Sequence, residues 1–205
     1  MARGDDMESL RRKGELDKFS FQDKVYIALQ ICAAVDSMHS NGIVHQNICS
    51  NSIVIDKDTL TVTIIDFRNA AFIDDPSRAG RGLGDLPYMA PEAVLDHGPT
   101  SFKEDVWSLG MVLALLFTGV SPYQSQVSQV NEFMDLHAAN KKRPRYIQKR
   151  SRSVEMNLYT RKGDKMLQVG TLINLSVCPT PGLRTPAKEL VGAFAMILTM
   201  DTEVA

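Results

Sequence analysis

Residues 42–68 read GIVHQNICSNSIVIDKDTLTVTIIDFR and form the most informative stretch of this sequence. Two short runs rich in β-branched side chains, at 52–55 and 61–65, are separated by a polar segment. Because β-branched residues favour strands and a short polar segment favours a turn, this pattern predicts a β-hairpin. Asn47 precedes the first run and Asp66 follows the second. A hairpin would therefore bring these two polar side chains towards each other.

Helical patterns lie on both sides of this hairpin. Ser20 and Asp23 match a capping box, and apolar residues then recur at helical spacing up to Asn41-Gly42, which predicts one long helix. Ser101 precedes a run at 102–118 that is apolar on nearly all sides, as in a helix buried all round. The sequence therefore predicts a mainly helical protein. Shorter patterns predict further helices at 5–14, 127–138, 164–177 and 186–199.

The composition is that of an ordinary folded protein. The 205 residues are 44% hydrophobic and 23% charged, which fits one domain with a sizeable core. A net charge of −1 gives no general attraction to nucleic acid or membranes. Three scattered cysteines fit neither a disulfide framework nor a metal site and favour a reducing compartment. Because we find neither a signal-peptide pattern nor a membrane-length apolar run, we expect a cytoplasmic or nuclear protein without a membrane partner.

Four short motifs, in this order, carry a family resemblance. Residues 45–47 read His-Gln-Asn, residues 66–68 read Asp-Phe-Arg and residues 90–92 read Ala-Pro-Glu. Residues 105–110 then read Asp-Val-Trp-Ser-Leu-Gly. In their order and spacing, these motifs make the chain similar to the C-terminal lobe of a eukaryotic protein kinase of the serine/threonine type.

The resemblance implies a fold and a set of structural residues. It covers residues 4–200, leaves 201–205 as a tail, and implies a mainly α fold with a small β-hairpin. We expect a kinase-like C-terminal lobe that lacks the N-terminal lobe, because no glycine-rich loop or strand lysine precedes it in this sequence. The implied structural residues are His45 and Phe67 in a hydrophobic spine, Asp105 beneath the catalytic loop, and Glu92 with Arg184 as a buried ion pair.

The catalytic loop departs from the kinase pattern at the positions that perform chemistry. Asn47 stands where the family has an aspartate that accepts the substrate proton, and losing such a base costs roughly 10²–10⁴-fold in rate. Cys49 replaces the lysine that neutralises the transferring phosphate, and Ser52 replaces a metal-binding asparagine. Gln46 replaces an arginine that would hold a phosphorylated activation segment. The loop is therefore expected to be degenerate, as in a pseudokinase.

Asp66 is the retained residue of the family's metal site, and together with Ser52 it marks the candidate position for a metal and nucleotide. Arg68 stands beside it in place of a glycine, whose backbone freedom arginine matches only at a cost, and its guanidinium can pair with Asp66 in place of metal. Asp85 occupies a threonine position, and we expect its carboxylate to accept a hydrogen bond from Asn47. For the isolated chain we therefore expect no cofactor.

A basic run in the second half of the chain allows a different interpretation. Residues 141–152 contain seven Lys or Arg. Such a run is typical of a solvated loop, and the aperiodic stretch 141–163 predicts disorder. The same run also fits a nuclear-import signal or a patch that docks anions.

Three functions remain open from the sequence. The altered loop favours a catalytically impaired, pseudokinase-like module that binds or scaffolds a protein partner through the surface that faces the missing lobe. The second is a divergent or truncated serine/threonine kinase that transfers phosphate from Mg-ATP to protein hydroxyls. The third is a nucleic-acid or nuclear-import module built on residues 141–152, although the net charge disfavours nucleic acid.

Overall fold

The computed structural model of the chain describes residues 3–75, 84–90, 92–93, 100–120, 164–178 and 180–199. Within these ranges the helices are α1 (Met7–Arg12), α2 (Phe21–Ser40), α3 (Phe102–Thr118), α4 (Asp164–Ser176) and α5 (Ala187–Thr199). The strands are β1 (Asp5–Asp6), β2 (Ile43–Val44), β3 (Ile53–Ile55), β4 (Val62–Ile64) and β5 (Ala71–Phe72). Short 3₁₀ turns cover Leu16–Lys18, Ser50–Ser52, Phe67–Asn69, Leu86–Tyr88 and Pro181–Leu183.

The helix boundaries follow the capping residues in the sequence. At the start of α2, the Ser20 hydroxyl accepts the Asp23 N–H at 3.1 Å, and the Asp23 carboxylate accepts the Ser20 N–H at 3.0 Å. The Ser101 hydroxyl caps α3, and Gly119 ends it in the left-handed conformation with φ of 71°. The predicted helices in the described ranges are confirmed. Helix α1 is shorter than predicted, because residues 5 and 6 pair as a strand.

The predicted hairpin is confirmed and belongs to a larger sheet. Strands β3 and β4 pair in antiparallel fashion with Ile53 opposite Ile64, and β1 pairs with the other edge of β3. Gly4 makes this approach possible, because a Cβ there would lie 2.3 Å from the Ile55 carbonyl oxygen. A second antiparallel pair joins β2 to β5. The sequence did not predict β1 or this second pair, since strands of two residues carry no periodic signal.

Helix α2 holds the hairpin by covering the backbone of β4. The Gln30 side chain donates to the Leu60 carbonyl at 2.8 Å and accepts the Val62 N–H at 3.1 Å. One amide thus makes the two hydrogen bonds that a neighbouring strand would make. The hairpin, and the loops at its two ends, are therefore fixed against the helical part of the protein.

Helix α3 is the centre of the core. Its residues from Asp105 to Phe117 are all buried, as predicted from its apolar sequence. Phe117 packs between Phe21 and Phe194, with ring centroids 6.0 and 6.2 Å away. This arrangement connects α2, α3 and α5.

Several predictions lie outside the described residues. They are the helix at 127–138, the basic run at 141–152, the disorder at 141–163 and the tail at 201–205. In the part of the chain that the structure describes, no helix is long and apolar enough to cross a membrane.

Candidate functional site

The loop after β2 is fastened to α3 by one buried carboxylate. Asp105 accepts the backbone N–H groups of His45 and Gln46 at 2.8 and 2.9 Å. The His39 ring at the end of α2 lies 3.0 Å from the same carboxylate. Because Asp105 is fully buried and makes three such contacts, it determines the position of residues 45 and 46. This contact is the one that the resemblance implied for Asp105.

The Asn47 side chain joins three segments. Its Oδ1 accepts the backbone N–H of Asp85 at 2.9 Å, and its Nδ2 donates to Asp66 Oδ2 over a longer 3.4 Å. The expected partnership with Asp85 is thus present, but the expected atoms are wrong: the backbone of Asp85 donates, and its carboxylate does not accept. The amide of Asn47 faces the carboxylate of Asp66 instead, because only the amide nitrogen can donate to it.

The Asp66 carboxylate is paired with Arg68. Arg68 donates to both carboxylate oxygens, at 2.6 and 3.0 Å. These hydrogen bonds hold the pKa of Asp66 below its ordinary value. The expected backbone cost at Arg68 is not observed, because Arg68 lies in a 3₁₀ turn and the left-handed residue is Asp66, with φ of 67°. Ion pairing, rather than backbone strain, is therefore the consequence of Arg68.

The other two altered positions face into the loop. The Ser52 hydroxyl donates to the Cys49 carbonyl and accepts the Cys49 N–H, both at 3.0 Å. Ser52 is 1% exposed and Cys49 is 3% exposed, and burial raises the pKa of the Cys49 thiol. Cys49 therefore supplies no charge here. The hydroxyl of Ser52 closes a turn, and its role at a metal and nucleotide position stays a prediction.

His45 and Phe67 are in contact, but they differ in burial. Their ring centroids lie 5.0 Å apart in an edge-to-face arrangement. His45 is fully buried and its Nε2 lies 3.1 Å from the Ile65 carbonyl oxygen, whereas Phe67 is 49% exposed. The two residues expected in a hydrophobic spine thus contact each other, and about half of Phe67 remains exposed.

The Glu92–Arg184 ion pair is present and is buried on its arginine side. Arg184 is 1% exposed, and both of its terminal nitrogens donate to the Glu92 carboxylate, which keeps 27% of its side chain exposed. The guanidinium also lies 5.0 Å from the centre of the Trp107 ring. Nearby, burial and then the charges of Glu92 and Asp105 raise the pKa of Glu104 to about 7.

Two contacts of the loop were not predicted from the sequence. The Gln46 side chain donates to the Thr100 hydroxyl at 2.8 Å, which links the loop to the start of α3. On the other side, the Ser50 hydroxyl lies 3.4 Å from the carboxylate of Glu8 in α1. The pKa of the Asp85 carboxyl is raised, mainly by its burial and in addition by the negative charge of Glu8. Neither contact leaves a sequence signal, because the partners are 42 and 54 residues apart.

Comparison with known proteins agrees with this geometry. The family model of the protein kinase domain matches residues 1–192. The chain belongs to the eukaryotic protein kinase family. Its kinase relatives include the serine/threonine-protein kinase kin-29 of Caenorhabditis briggsae, which is 34% identical over 97 residues, or 47% of this chain and 12% of kin-29. The tyrosine-protein kinase Src64B of Drosophila melanogaster is 31% identical over 132 residues, or 63% of this chain and 23% of Src64B.

A third kinase relative is closer in size. The probable CTD kinase subunit alpha homolog of Encephalitozoon cuniculi is 30% identical over 122 residues, or 60% of this chain and 37% of that protein. The chain thus spans well under half the length of each of these kinases.

The kinase fold implies Mg-ATP, and the residues of this site do not fit it. Asp66 gives both carboxylate oxygens to Arg68, and the hydroxyl of Ser52 is held by the Cys49 backbone. Magnesium is usually held by oxygen ligands from more than one group, together with phosphate. Within the described ranges, no group of three or more His, Cys, Asp or Glu side chains is placed to hold a metal ion.

Proposed function

We propose that this kinase-family chain is a catalytically impaired, pseudokinase-like module that acts as a binding or scaffolding domain, built as the C-terminal lobe of the fold. The observation that carries the proposal is the pair of hydrogen bonds made by the Asn47 side-chain amide. Its amide stands at the position of the catalytic base and is occupied on both sides, by the Asp85 N–H and by Asp66. An amide so placed accepts no proton at neutral pH and serves to hold the loop.

The electrostatics around Asn47 support the same proposal. Phosphoryl transfer needs positive charge at the transferring phosphate and metal ions that bridge its oxygens. In this loop the buried thiol of Cys49 supplies no charge, and the one positive group beside Asp66 is already paired with it within the described residues. The substitutions thus remove the base, the cation and one metal ligand, and Arg68 pairs with the ligand that remains.

Two exposed phenylalanines support the binding part of the proposal. Phe67 is 49% exposed and Phe72 is 61% exposed. Both lie beside β2: Phe72 is opposite Ile43 in the strand pair, and Phe67 contacts His45, which directly follows β2. Two large apolar side chains that stay exposed beside one strand can form an interaction surface. We propose that a protein partner covers Phe67 and Phe72.

The catalytic part is tested by thermal melting with and without Mg-ATP. We expect Tm to change by less than about 1 °C, because we expect Mg-ATP not to bind. A ligand raises Tm by several degrees only when its concentration is well above its Kd. Asp66→Ala, which removes the retained carboxylate, is the matched variant and is expected to respond no differently. A Tm increase of several degrees in the parent protein that Asp66→Ala abolishes would overturn the proposal.

The binding part is tested with partners captured from cells of the source organism and then measured with purified components. Phe67→Ser combined with Phe72→Ser should weaken binding at least tenfold, as expected when interface anchors are removed. Leu183→Ser is the control, since Leu183 is 68% exposed at a different place, in the turn before α5. Equal loss in both variants, or no loss in either, would contradict the assignment of this face.

A divergent serine/threonine kinase is the second candidate, and the retention of Asp66 favours it. It predicts phosphoryl transfer to protein hydroxyls in a radiolabel assay, and Asp66→Ala should abolish that transfer. Transfer that persists in Asp66→Ala would identify a contaminating kinase. Absence of transfer at high enzyme concentration would leave the scaffolding proposal in place.

A further inference from the structure

The amide of Asn47 combines an acceptor and a donor, which the aspartate of the family pattern does not. It must accept a hydrogen bond from the Asp85 N–H and donate one to the Asp66 carboxylate. A carboxylate can accept but cannot donate, and it would repel Asp66; a hydroxyl is too short to reach both groups from one carbon. Asparagine thus connects the turn at residue 66 with the segment that begins at residue 84.

Gln46 makes a second connection of the same kind. Its backbone N–H is fixed by Asp105 at 2.9 Å, and its own conformation is left-handed, with φ of 60°. This conformation directs the side-chain amide to Thr100, whose hydroxyl accepts at 2.8 Å. Left-handed backbone is unfavourable for a residue with a side chain, so the surrounding contacts must hold it. Gln46 thereby links the loop to the residue that precedes the α3 cap.

Gly84 shows independently how closely these segments approach. Its φ is 135°, and a Cβ at this position would lie 2.7 Å from the Gln46 carbonyl oxygen and 3.7 Å from Asn47 Oδ1. The backbone of residue 84 therefore lies directly on the loop, with space for glycine alone. The contact of Asn47 with Asp85 is thus part of a packed junction.

We propose that Gln46 and Asn47 are positioning residues that form a charge-free clamp. The clamp holds residues 84–85 at one end and Thr100 at the other, and each of these two ends is joined by a hydrogen bond between uncharged groups. Because neither amide titrates, the clamp needs neither phosphate nor metal to form. The inference goes beyond the proposed function, since it assigns a role to the two substituted residues whether or not the chain transfers phosphate.

Amide hydrogen exchange at Asp85, followed by NMR, tests the Asn47 half. Asn47→Leu removes both polar atoms and should lower protection of the Asp85 amide roughly tenfold, the effect of about one hydrogen bond. Asn47→Asp keeps the Oδ1 acceptor and should retain that protection. Asn51→Leu is the control, since Asn51 is an exposed residue of the same loop. Gly84→Ala provides a second route to the same loss without changing Asn47, should Asn47→Leu fail to fold.

The Gln46 half is tested at the first turn of α3. The Lys103 and Glu104 amides donate to Ser101 and should exchange faster in Gln46→Leu and in Thr100→Val. In the double variant these amides should exchange no faster than in either single variant, because each single variant already removes the same Gln46–Thr100 hydrogen bond. Additive effects would overturn this half.

Two results would overturn the clamp as a whole. One is an Asp85 amide that exchanges without protection in the parent protein, or that is equally protected in Asn47→Leu, Asn47→Asp and Gly84→Ala. The other is loss of Asp85 protection when the parent protein is treated with phosphatase, which would show that the junction depends on phosphate. Unchanged protection after phosphatase supports a charge-free clamp.

Discussion

At the scale of single residues, the substitutions in the loop are chemically consistent with one another. Asn47 places a hydrogen-bond donor opposite Asp66, where an aspartate would add a second negative charge. Arg68 then neutralises Asp66 from the other side and lowers its pKa. Asp66 therefore stays ionised and fully paired in the absence of a metal ion. The Asp66–Arg68 ion pair lies at the surface, so it contributes little to the free energy of unfolding. Its main effect is that Arg68 competes with other cations for the Asp66 carboxylate.

Glu104 is expected to make the stability of the protein depend on pH. Its pKa is raised from the ordinary 4.5 to about 7, by burial and by the negative charges of Glu92 and Asp105. Between these two values the folded protein binds more protons than the unfolded chain, so the free energy of unfolding falls as pH rises. We expect it to fall by an amount on the order of 2–3 kcal/mol from pH 4.5 to 7. Glu104→Gln should remove this slope and be the more stable protein above pH 7.

Urea denaturation at several pH values checks the Glu104 prediction. Other carboxylates contribute their own slopes, so the quantity to compare is the difference between the parent protein and Glu104→Gln. A difference that stays constant from pH 4.5 to 8 would show that Glu104 is not the group responsible.

At the scale of elements, α3 sets the positions of everything around the loop. It supplies Asp105 to the backbone of residues 45 and 46, and it is buried along nearly its whole length. Its one interior glycine, Gly110, allows the end of α4 to approach closely. The support of the loop thus depends on helix packing remote from it.

Gly110→Ala tests this packing. A Cβ there would lie 2.7 Å from a Val177 methyl and 2.8 Å from Ser176 Cβ, so we expect a loss of about 1–3 kcal/mol from overpacking. Gly192→Ala in α5 is the matched control, since its Cβ would meet nothing within 4 Å and should stabilise by about 0.5–1 kcal/mol through helix propensity. Chemical denaturation of both variants gives the comparison, and two effects of the same sign would contradict it.

At the scale of the whole molecule, Arg184 joins segments that are far apart in the sequence. Besides Glu92, it donates to the carbonyl groups of Cys178 and Lys103, each at 2.8 Å. The Lys103 amine donates back to the Arg184 carbonyl at 2.8 Å. The segments around residues 92, 103, 178 and 184 therefore meet at one buried cation. The planar guanidinium can donate to all of these partners because it carries five N–H groups.

Arg184→Met is expected to cost on the order of 3–5 kcal/mol in the free energy of unfolding, because it leaves Glu92 and two carbonyl groups without their partner. Arg184→Lys keeps the charge but cannot reproduce the bidentate contact, so it should recover only part of the loss. Arg12→Met is the control, as the Arg12 side chain is 74% exposed and pairs only at the surface of α1. Thermal and urea unfolding give the ranking, and an Arg184→Met variant as stable as Arg12→Met would refute it.

The helices and the hairpin could be predicted from the sequence, because each depends on residues that are close together in the chain. The capping box at Ser20, the apolar run of α3 and the β-branched hairpin each signal their structure through neighbouring residues. The substitutions in the loop are equally visible, since Asn47 and Cys49 are read by position alone. Chemical capacity follows directly from residue type, so the prediction that Asn47 cannot act as the base needed no structure.

The pairing of these groups was decided by the tertiary structure, because it depends on segments that meet only after folding. Sequence reasoning expected the Asp85 carboxylate as the partner of Asn47, whereas the backbone of Asp85 and the carboxylate of Asp66 are its partners. The link from Gln46 to Thr100 spans 54 residues and has no local cause. Residue type thus determines which bonds a side chain can make, and long-range packing determines which of them it does make.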